Sequence, residues 1–488
     1  MRILYLDIDT LRADHLGCYG YLRNTSPNID RIAAEGVRFD ACYVSDAPCL
    51  PSRAAMFSGQ FGIHNGAIAH GGTCADIRIV GRDRGFNLRS QRPLFIDCLR
   101  NQGLYPVSIS PYAERHSAWW FCTGWREMVN PGKGGGESAE EVVPYALDWI
   151  QRNAQRDHWM LHVNIWDPHT PYRAPQEFGN PFEDQPIDPW YTEELRQRQW
   201  NGFGPGSPQE PAGSFTPPPD AYARYPRMPN QIASMDDYKK WIDGYDCGVA
   251  YADLWCGRVL DALADQGVLD DTVVLVTSDH GETLGELGVI GDHQTADHIV
   301  SRVPMIVRYP GLPGRRADAG LLNQVDVAAT LVELAGGQVP GHWDGRSFAE
   351  AFQAGQSGGR EYVVFCQNAW SCQRSVRWGD YLFIRSYHTG LKSYPARMLF
   401  HVGQDPHETN NLAQSHPELA DHGAALLEAW TAEMMTGSDS ATDPMWTVLR
   451  EGGPFHTRSR LDAYCQRLRQ TGRAHHADFL RAHPTGLA

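Results

Sequence analysis

Cys49-Leu50-Pro51-Ser52-Arg53, continued through Ala54 to Gly59, constrains this chain more than any other stretch. A loop of small and polar residues, Ser45-Asp46-Ala47-Pro48, leads into it, and the run after Cys49 has the chemistry of a helix start. Proline suits a first helical turn, where its missing N–H needs no partner. The thiol therefore stands at or just before a helix N-terminus, where backbone N–H groups favour an anion. Arg53 adds a fixed positive fork beside it. A single cysteine is more often a small buried apolar residue, and the chain has 11 of them. The ordered pentapeptide, rather than the thiol alone, carries the argument.

Two apolar runs end in carboxylates in the manner of buried parallel strands. Residues 3–9 read Ile-Leu-Tyr-Leu-Asp-Ile-Asp, and residues 271–278 lead into Asp279-His280-Gly281-Glu282. Ligands gather at the carboxyl ends of strands in open α/β sheets, which puts Asp9 and Asp279 at such a rim. A third run, 159–166, enters Asp167-Pro168-His169-Thr170-Pro171-Tyr172. Helical patterns over 27–36, 93–102, 138–153, 236–266 and 325–335 alternate with strands, so the chain reads as α/β. In the helix over 138–153 the apolar face is assigned to Val142, Tyr145, Ala146 and Trp149. His64 and His70 sit in a Gly-containing stretch over 61–72 where either could face a site, although a loop histidine is more often structural.

Cys-x-Pro-x-Arg followed by small-x-Gly resembles the signature of the type I, formylglycine-dependent sulfatases of the alkaline phosphatase superfamily, a group with phosphonate monoester hydrolase relatives. The resemblance covers most of residues 1–435. It implies a large mixed, mainly parallel sheet sandwiched by helices, with a smaller C-terminal antiparallel sheet subdomain. It also implies that a formylglycine-generating enzyme oxidises Cys49 to an aldehyde whose hydrate is the nucleophile. Asp9 to Gly20 is similar to the first metal-binding segment of that family, with Asp9 matching its ligand. Ser278-Asp279-His280-Gly281-Glu282 is similar to the second, with Asp279 and His280 matching. Two acids, a histidine and the product of Cys49 suit a hard divalent ion, Ca2+ first and Mn2+ second. Arg53 would hold the nucleophile oriented, and His169, in a His-x-Pro-Tyr segment, matches the family's active-site histidine and would protonate the leaving oxygen.

The chain departs from the family pattern at three places. Thr10 stands where many members carry a second acid. After the strand expected over 103–110, the usual Lys and His are replaced by Ser110-Pro111-Tyr112-Ala113-Glu114-Arg115-His116, which leaves Arg115 or His116 to grip the anion. A second family Lys falls on His293, with Asp292 or His298 as neighbours that a different loop spacing would select. Breakdown of the sulfated state requires a base, for which His70, His116 and His293 are the candidates. Asp7 and Asp14 are read as structural.

The expected reaction is therefore hydrolysis of a small-molecule or carbohydrate sulfate ester. One alternative is a phosphonate monoester or phosphodiester hydrolase with the same machinery, and another is a metal-binding protein without catalysis if Cys49 is never converted. A net charge of -15 argues against nucleic acid and anionic membrane as partners. The N-terminus enters a strand-like run at once, and an odd number of scattered cysteines fits reduced thiols, so a cytoplasmic protein is expected. The division expected is a catalytic domain over 1–350, carrying a Pro/Gly-rich insertion loop over 173–230 in which Trp190 and Trp200 either stack on sugar rings or pin the loop. A C-terminal subdomain follows over 351–436, then a tail over 437–488 that packs over the site or joins copies in a homo-oligomer.

Overall fold

The computed structural model describes residues 1–77, 92–213 and 224–487. Its first strand, Arg2–Ile8, shows how the architecture follows from sequence. Side chains alternate across a strand, so Leu4, Leu6 and Ile8 enter one apolar core and Ile3 and Tyr5 enter a second on the opposite face. The helices Ala139–Asn153 and Met235–Asp265 cover the first face, and Cys49–Ser58, Phe95–Asn101 and Gln324–Leu334 cover the other. A strand buried on both faces reads as a continuous apolar run, and this one does.

Among the described residues the large sheet has nine strands. Across it run Arg316–Asp318, Val37–Tyr43, Arg302–Arg308, Thr272–Thr277, Arg2–Ile8, Trp159–Ile165, Tyr105–Ile109 and Glu127–Val129, with Leu322–Asn323 also paired to Val37–Tyr43. Arg302–Arg308 is antiparallel to both of its neighbours and the remaining pairs are parallel. The fold is thus a mixed, mainly parallel sheet between helical layers, with a second sheet built from Tyr362–Gln367, Cys372–Trp378, Tyr381–His388 and Arg397–His401 in antiparallel order. A fifth, parallel strand of that second sheet, Asp46–Ala47, comes from the loop that feeds Cys49: Asp46 pairs with Cys366 and Ala47 with Gln367.

Local details follow the capping chemistry. The helix Ala139–Asn153 starts at Ser138, whose N–H donates to Glu141 at 3.1 Å. Its apolar face uses Ile150 rather than Tyr145, which is 45% exposed. Asn323 caps Gln324–Leu334 by accepting from the Val325 N–H. The insertion over 173–230 is not wholly loop, since Glu193–Trp200 is helical; its residues 214–223 lie outside the described residues. Trp190 stacks on His407, ring centroids 4.1 Å apart, and so pins the insertion to its surroundings, whereas Trp200 lies under the Arg196 guanidinium of its own helix.

Residues after 437 form three helices, Pro444–Arg450, Leu461–Gln470 and Ala474–Ala482. The first buries Met445 and Val448 against Ile68, Ala69, Cys74 and Cys372. The other two pack on Leu391 and Phe203. Glu210 of the insertion, fully buried, accepts from Arg467 at 2.9 Å, from the Tyr464 hydroxyl at 3.0 Å and from Arg473. No helix among the described residues is long and apolar enough to cross a membrane.

Candidate active site

Three adjacent parallel strands deliver the site. Asp7 is in register with Thr277 on one side and Asn164 on the other, so the chain leaves all three strands at the same rim. Asp9, Asp279 with His280, and His169 stand just beyond those ends. The Asp9 N–H donates to Ile165 O at 2.9 Å and the Thr10 N–H to Asp279 Oδ1 at 3.2 Å, which ties the three exits together. The helix Cys49–Ser58 begins at the same rim with Cys49 in its first turn.

Asp9, Cys49, Asp279 and His280 each offer a ligand atom within 4.8 Å of the others. All four are buried. His280 places Nδ1 2.8 Å from Gly281 O, so Nδ1 carries the proton and Nε2 keeps its lone pair, 3.2 Å from Cys49 Sγ. Burial pushes the Cys49 thiol well up, and the nearby Asp9 and Asp279 charges push it further. The unmodified side chain is therefore a protonated thiol that donates to His280, a poor redox or nucleophilic group. Burial, then repulsion from Asp279, also holds the Asp9 carboxyl well above the usual range.

This donor set fits a hard divalent ion. Asp9 Oδ1 and Thr10 Oγ1 are buried without a hydrogen-bond partner among the described residues, and two repelling carboxylates lie in one small space. Thr10, in place of the second acid, adopts a positive φ of 56°, rare for a β-branched residue.

Arg53 turns toward the carboxylates. Its Nε and Nη2 donate to Asp7 at 2.7 and 3.0 Å, and its Nη1 to Asp279 at 2.5 Å and to Asp9 at 3.1 Å. The geometry follows from alternation, because Asp7 shares the Ile3 and Tyr5 face that the Cys49–Ser58 helix covers. Burial opposes ionisation of Asp7, and the Arg53 guanidinium together with His162 more than offsets it, so Asp7 stays a carboxylate. Asp7 also accepts from His162 at 3.3 Å, and Asp14 pairs with Arg12 at 2.6 Å, both structural as expected.

A cavity of about 810 Å³ opens over Cys49, and His70, His116, His169 and His293 all line it. The His293 ring centroid lies 4.4 Å from that of His280, tilted to it, and 5.9 Å from that of His169, edge-on. Its Nδ1 and the Nε2 of His116 are buried without partners among the described residues. His169 directs Nδ1 at Thr170 O, which leaves Nε2 as a lone-pair atom. Burial holds His70, His116, His169 and His293 well below the ordinary range, with the Arg115 charge adding to it for the last three, so the set is neutral at pH 7. Among the described residues lining the cavity, the fixed positive charge is Arg115, whose guanidinium lies 4.8 Å over the Trp166 ring. His64 is elsewhere, held between Asp344 at 2.8 Å and Met434 O at 2.9 Å.

Residues not anticipated from the sequence also line the cavity: Trp370, Phe455 and His456, with Tyr225 and Met228 of the insertion. No motif or period in the segments around them marks them out.

The family described as Sulfatase matches residues 2–337, and N-sulphoglucosamine sulphohydrolase, C-terminal, matches residues 289–430. Human iduronate 2-sulfatase is 26% identical over 373 residues, 68% of this chain and 65% of that one, so the aligned part spans just under two thirds of that relative. Two solved structures share the fold. One, described in complex with its substrate D-glucosamine-2-N,6-O-disulfate, has a TM-score of 0.71 at 20% identity and covers 90% of this chain and 99% of its own. The other, a phosphonate monoester hydrolase from Silicibacter pomeroyi, has a TM-score of 0.67 at 19% identity and covers 90% and 96%. With its Cys49 pentapeptide, its two metal-type segments and a matched stretch running from residue 2 to residue 337, the chain belongs to the sulfatase family.

Proposed function

We propose that this chain hydrolyses sulfate esters of carbohydrates or other small alcohols, with a formylglycine made from Cys49 by a formylglycine-generating enzyme and a divalent ion, Ca2+ ahead of Mn2+. The observation that carries the reading is the meeting of Cys49 with Asp9, Asp279 and His280 on the floor of the large cavity. The ion would be held by those three residues and the converted Cys49, and would supply charge neutralisation and a lowered pKa for a hydroxyl beside it.

The chain's own residues then have separate tasks. Arg53, anchored by Asp7, fixes Asp9 and Asp279 in place for the ion and stands ready to orient the converted Cys49. Arg115 supplies fixed positive charge for an anionic sulfate, in place of the family lysines. His169, proton on Nδ1 and lone pair on Nε2, rests as a base, so it acts as the leaving group's acid only after taking up a proton. His293 and His116, each with an unpartnered buried nitrogen, are the candidates for the second proton transfer, and His70 bonds away from the reacting centre. A cytoplasmic setting is proposed from the odd number of scattered cysteines in the sequence.

The second reading, phosphonate monoester or phosphodiester hydrolysis, is favoured by Thr10 in place of an acid and by the fold shared with a phosphonate monoester hydrolase. Mass spectrometry of the tryptic peptide spanning residues 39–53 tests the common chemistry. An aldehyde at Cys49 with an alkylated Cys42 supports it, whereas alkylation of both in a host holding the maturation enzyme sinks it and leaves metal binding without catalysis. Rates on p-nitrophenyl sulfate against a phenyl phosphonate ester then choose between the readings.

A further inference from the structure

The segment after residue 437 lies beyond both matched stretches, yet it builds one wall of the cavity over Cys49. Its His456 and Phe455 line that cavity beside His70, Gly71 and Trp370. Their placement is fixed from several sides. The His456 N–H donates to Ala369 O at 2.9 Å, and the His456 ring stacks on Trp370 with centroids 4.5 Å apart and planes 23° apart. Phe455 lies so close over Gly71 that a Cβ there would stand 2.1 Å from its ring. Just before them, Glu451 accepts from the Thr73 N–H at 3.1 Å and from Arg458 at 3.1 Å. The wall is thus held in shape before any ligand arrives.

Hydrogen bonding also sets which ring nitrogens carry protons. The Leu50 N–H donates to His70 Nε2 at 3.4 Å, so His70 holds its proton on Nδ1 and donates it to His456 Nε2 at 2.9 Å. Accepting there, neutral His456 keeps its own proton on Nδ1, and that N–H has no partner among the described residues. Burial holds His456 neutral by pushing its pKa down to about 4. The wall therefore combines an uncharged N–H donor with the apolar faces of Trp370, Phe455 and Tyr225, and Phe455 is 41% exposed.

A cavity of about 810 Å³ is far larger than a sulfate group and falls within the range of sites that hold whole small molecules, roughly 300–1,000 Å³. A saturated sugar ring has C–H faces that suit aromatic surfaces and a rim of hydroxyls that suits a neutral donor. We propose that Phe455 and His456 bind the sugar ring that carries the sulfate and leaves as the alcohol, with Phe455 covering a ring face and His456 Nδ1–H donating to a ring hydroxyl. This makes the C-terminal segment a specificity element, and it rests on the sulfatase reading.

The test compares matured wild-type enzyme with His456→Ala, His456→Gln and Phe455→Ala on p-nitrophenyl sulfate and on a panel of monosulfated hexosamine and uronic acid methyl glycosides. Wild type is expected to prefer its best glycoside over the aryl ester in kcat/KM. His456→Ala and Phe455→Ala should each cut that preference about tenfold, mainly through KM, and His456→Gln, which keeps a donor, should restore part of it. Phe455→Ala removes an exposed ring, so its folding is not at issue. A wild type without any glycoside preference, or a preference that survives in both alanine variants, overturns the proposal while leaving the sulfatase reading intact. Absence of turnover on every sulfate ester overturns both.

Discussion

Arg53 grips Asp7 through two N–H···O bonds of 2.7 and 3.0 Å, and both residues are almost completely buried. Removing one member of such a pair strands a charge in the interior and typically costs about 3–5 kcal/mol. Arg53→Ala is therefore expected to lower stability by that order, and Arg53→Lys, which keeps charge but loses the fork, by less. Urea unfolding of the metal-free proteins measures both, and equal midpoints for wild type and Arg53→Ala would show that the carboxylates find other partners.

The ionised form of Asp9 is disfavoured in the metal-free fold, by burial first and by Asp279 next. Its folded pKa lies above the unfolded one, so at neutral pH the charged carboxylate detracts from stability. Asp9→Asn should thus raise the melting temperature of chelator-treated protein. The same change should abolish the rise that Ca2+ or Mn2+ produces in the wild type. A variant that still gains stability from the ion would place the ion elsewhere.

Asp46 supplies a pH signal outside the metal cluster. Burial pushes its carboxyl up to about 7, against hydrogen bonds from Ser45 and from the Gly62 N–H at 2.9 Å. The folded state then holds a proton that the unfolded chain has released, so this group's contribution declines as pH rises from about 4 through about 7. Asp46→Asn keeps an acceptor for Gly62 and removes the titration. The drop in urea midpoint between pH 5 and pH 8 should be smaller in Asp46→Asn than in wild type, and an identical drop would assign the slope to other groups.

Glu210 joins the insertion to the C-terminal helices by accepting from Arg467, Arg473 and Tyr464. Glu210→Gln removes the charge that both guanidiniums share and leaves them uncompensated, with a loss of about 3–5 kcal/mol. Hydrogen exchange should quicken over 461–482, while the strand Arg2–Ile8 keeps its protection. Unchanged exchange over 461–482 would mean that the apolar packing of Leu468 and Leu480 holds these helices without the carboxylate.

Much of this was legible in the sequence because it is written in local chemistry. Apolar runs ending in Asp9 and Asp279 marked strand exits, and helical spacing over 138–153 and 325–335 marked helices. The Cys49 pentapeptide marked the rim where they meet. What was illegible depends on contacts between distant segments. Tyr145 fits the helical spacing yet faces solvent, because tertiary packing settles which residues a helix buries. The turn of Arg53 toward Asp7 required knowing which helix covers which strand face. His456 carries no local signal, since its place is set by Ala369 O, Trp370 and His70, all far away along the chain.

The strand Asp46–Ala47 pairs with Cys366 and Gln367, and Cys49 just beyond it is buried at the floor of the cavity. On a ribosome the first partner of this pair is made long before the second. Until residues 366–367 have emerged, the segment ahead of Cys49 lacks the edge it will bind. The edge that positions the start of the Cys49 helix is therefore completed by sequence about 320 residues further along, so the site cannot take its final shape on the large sheet alone.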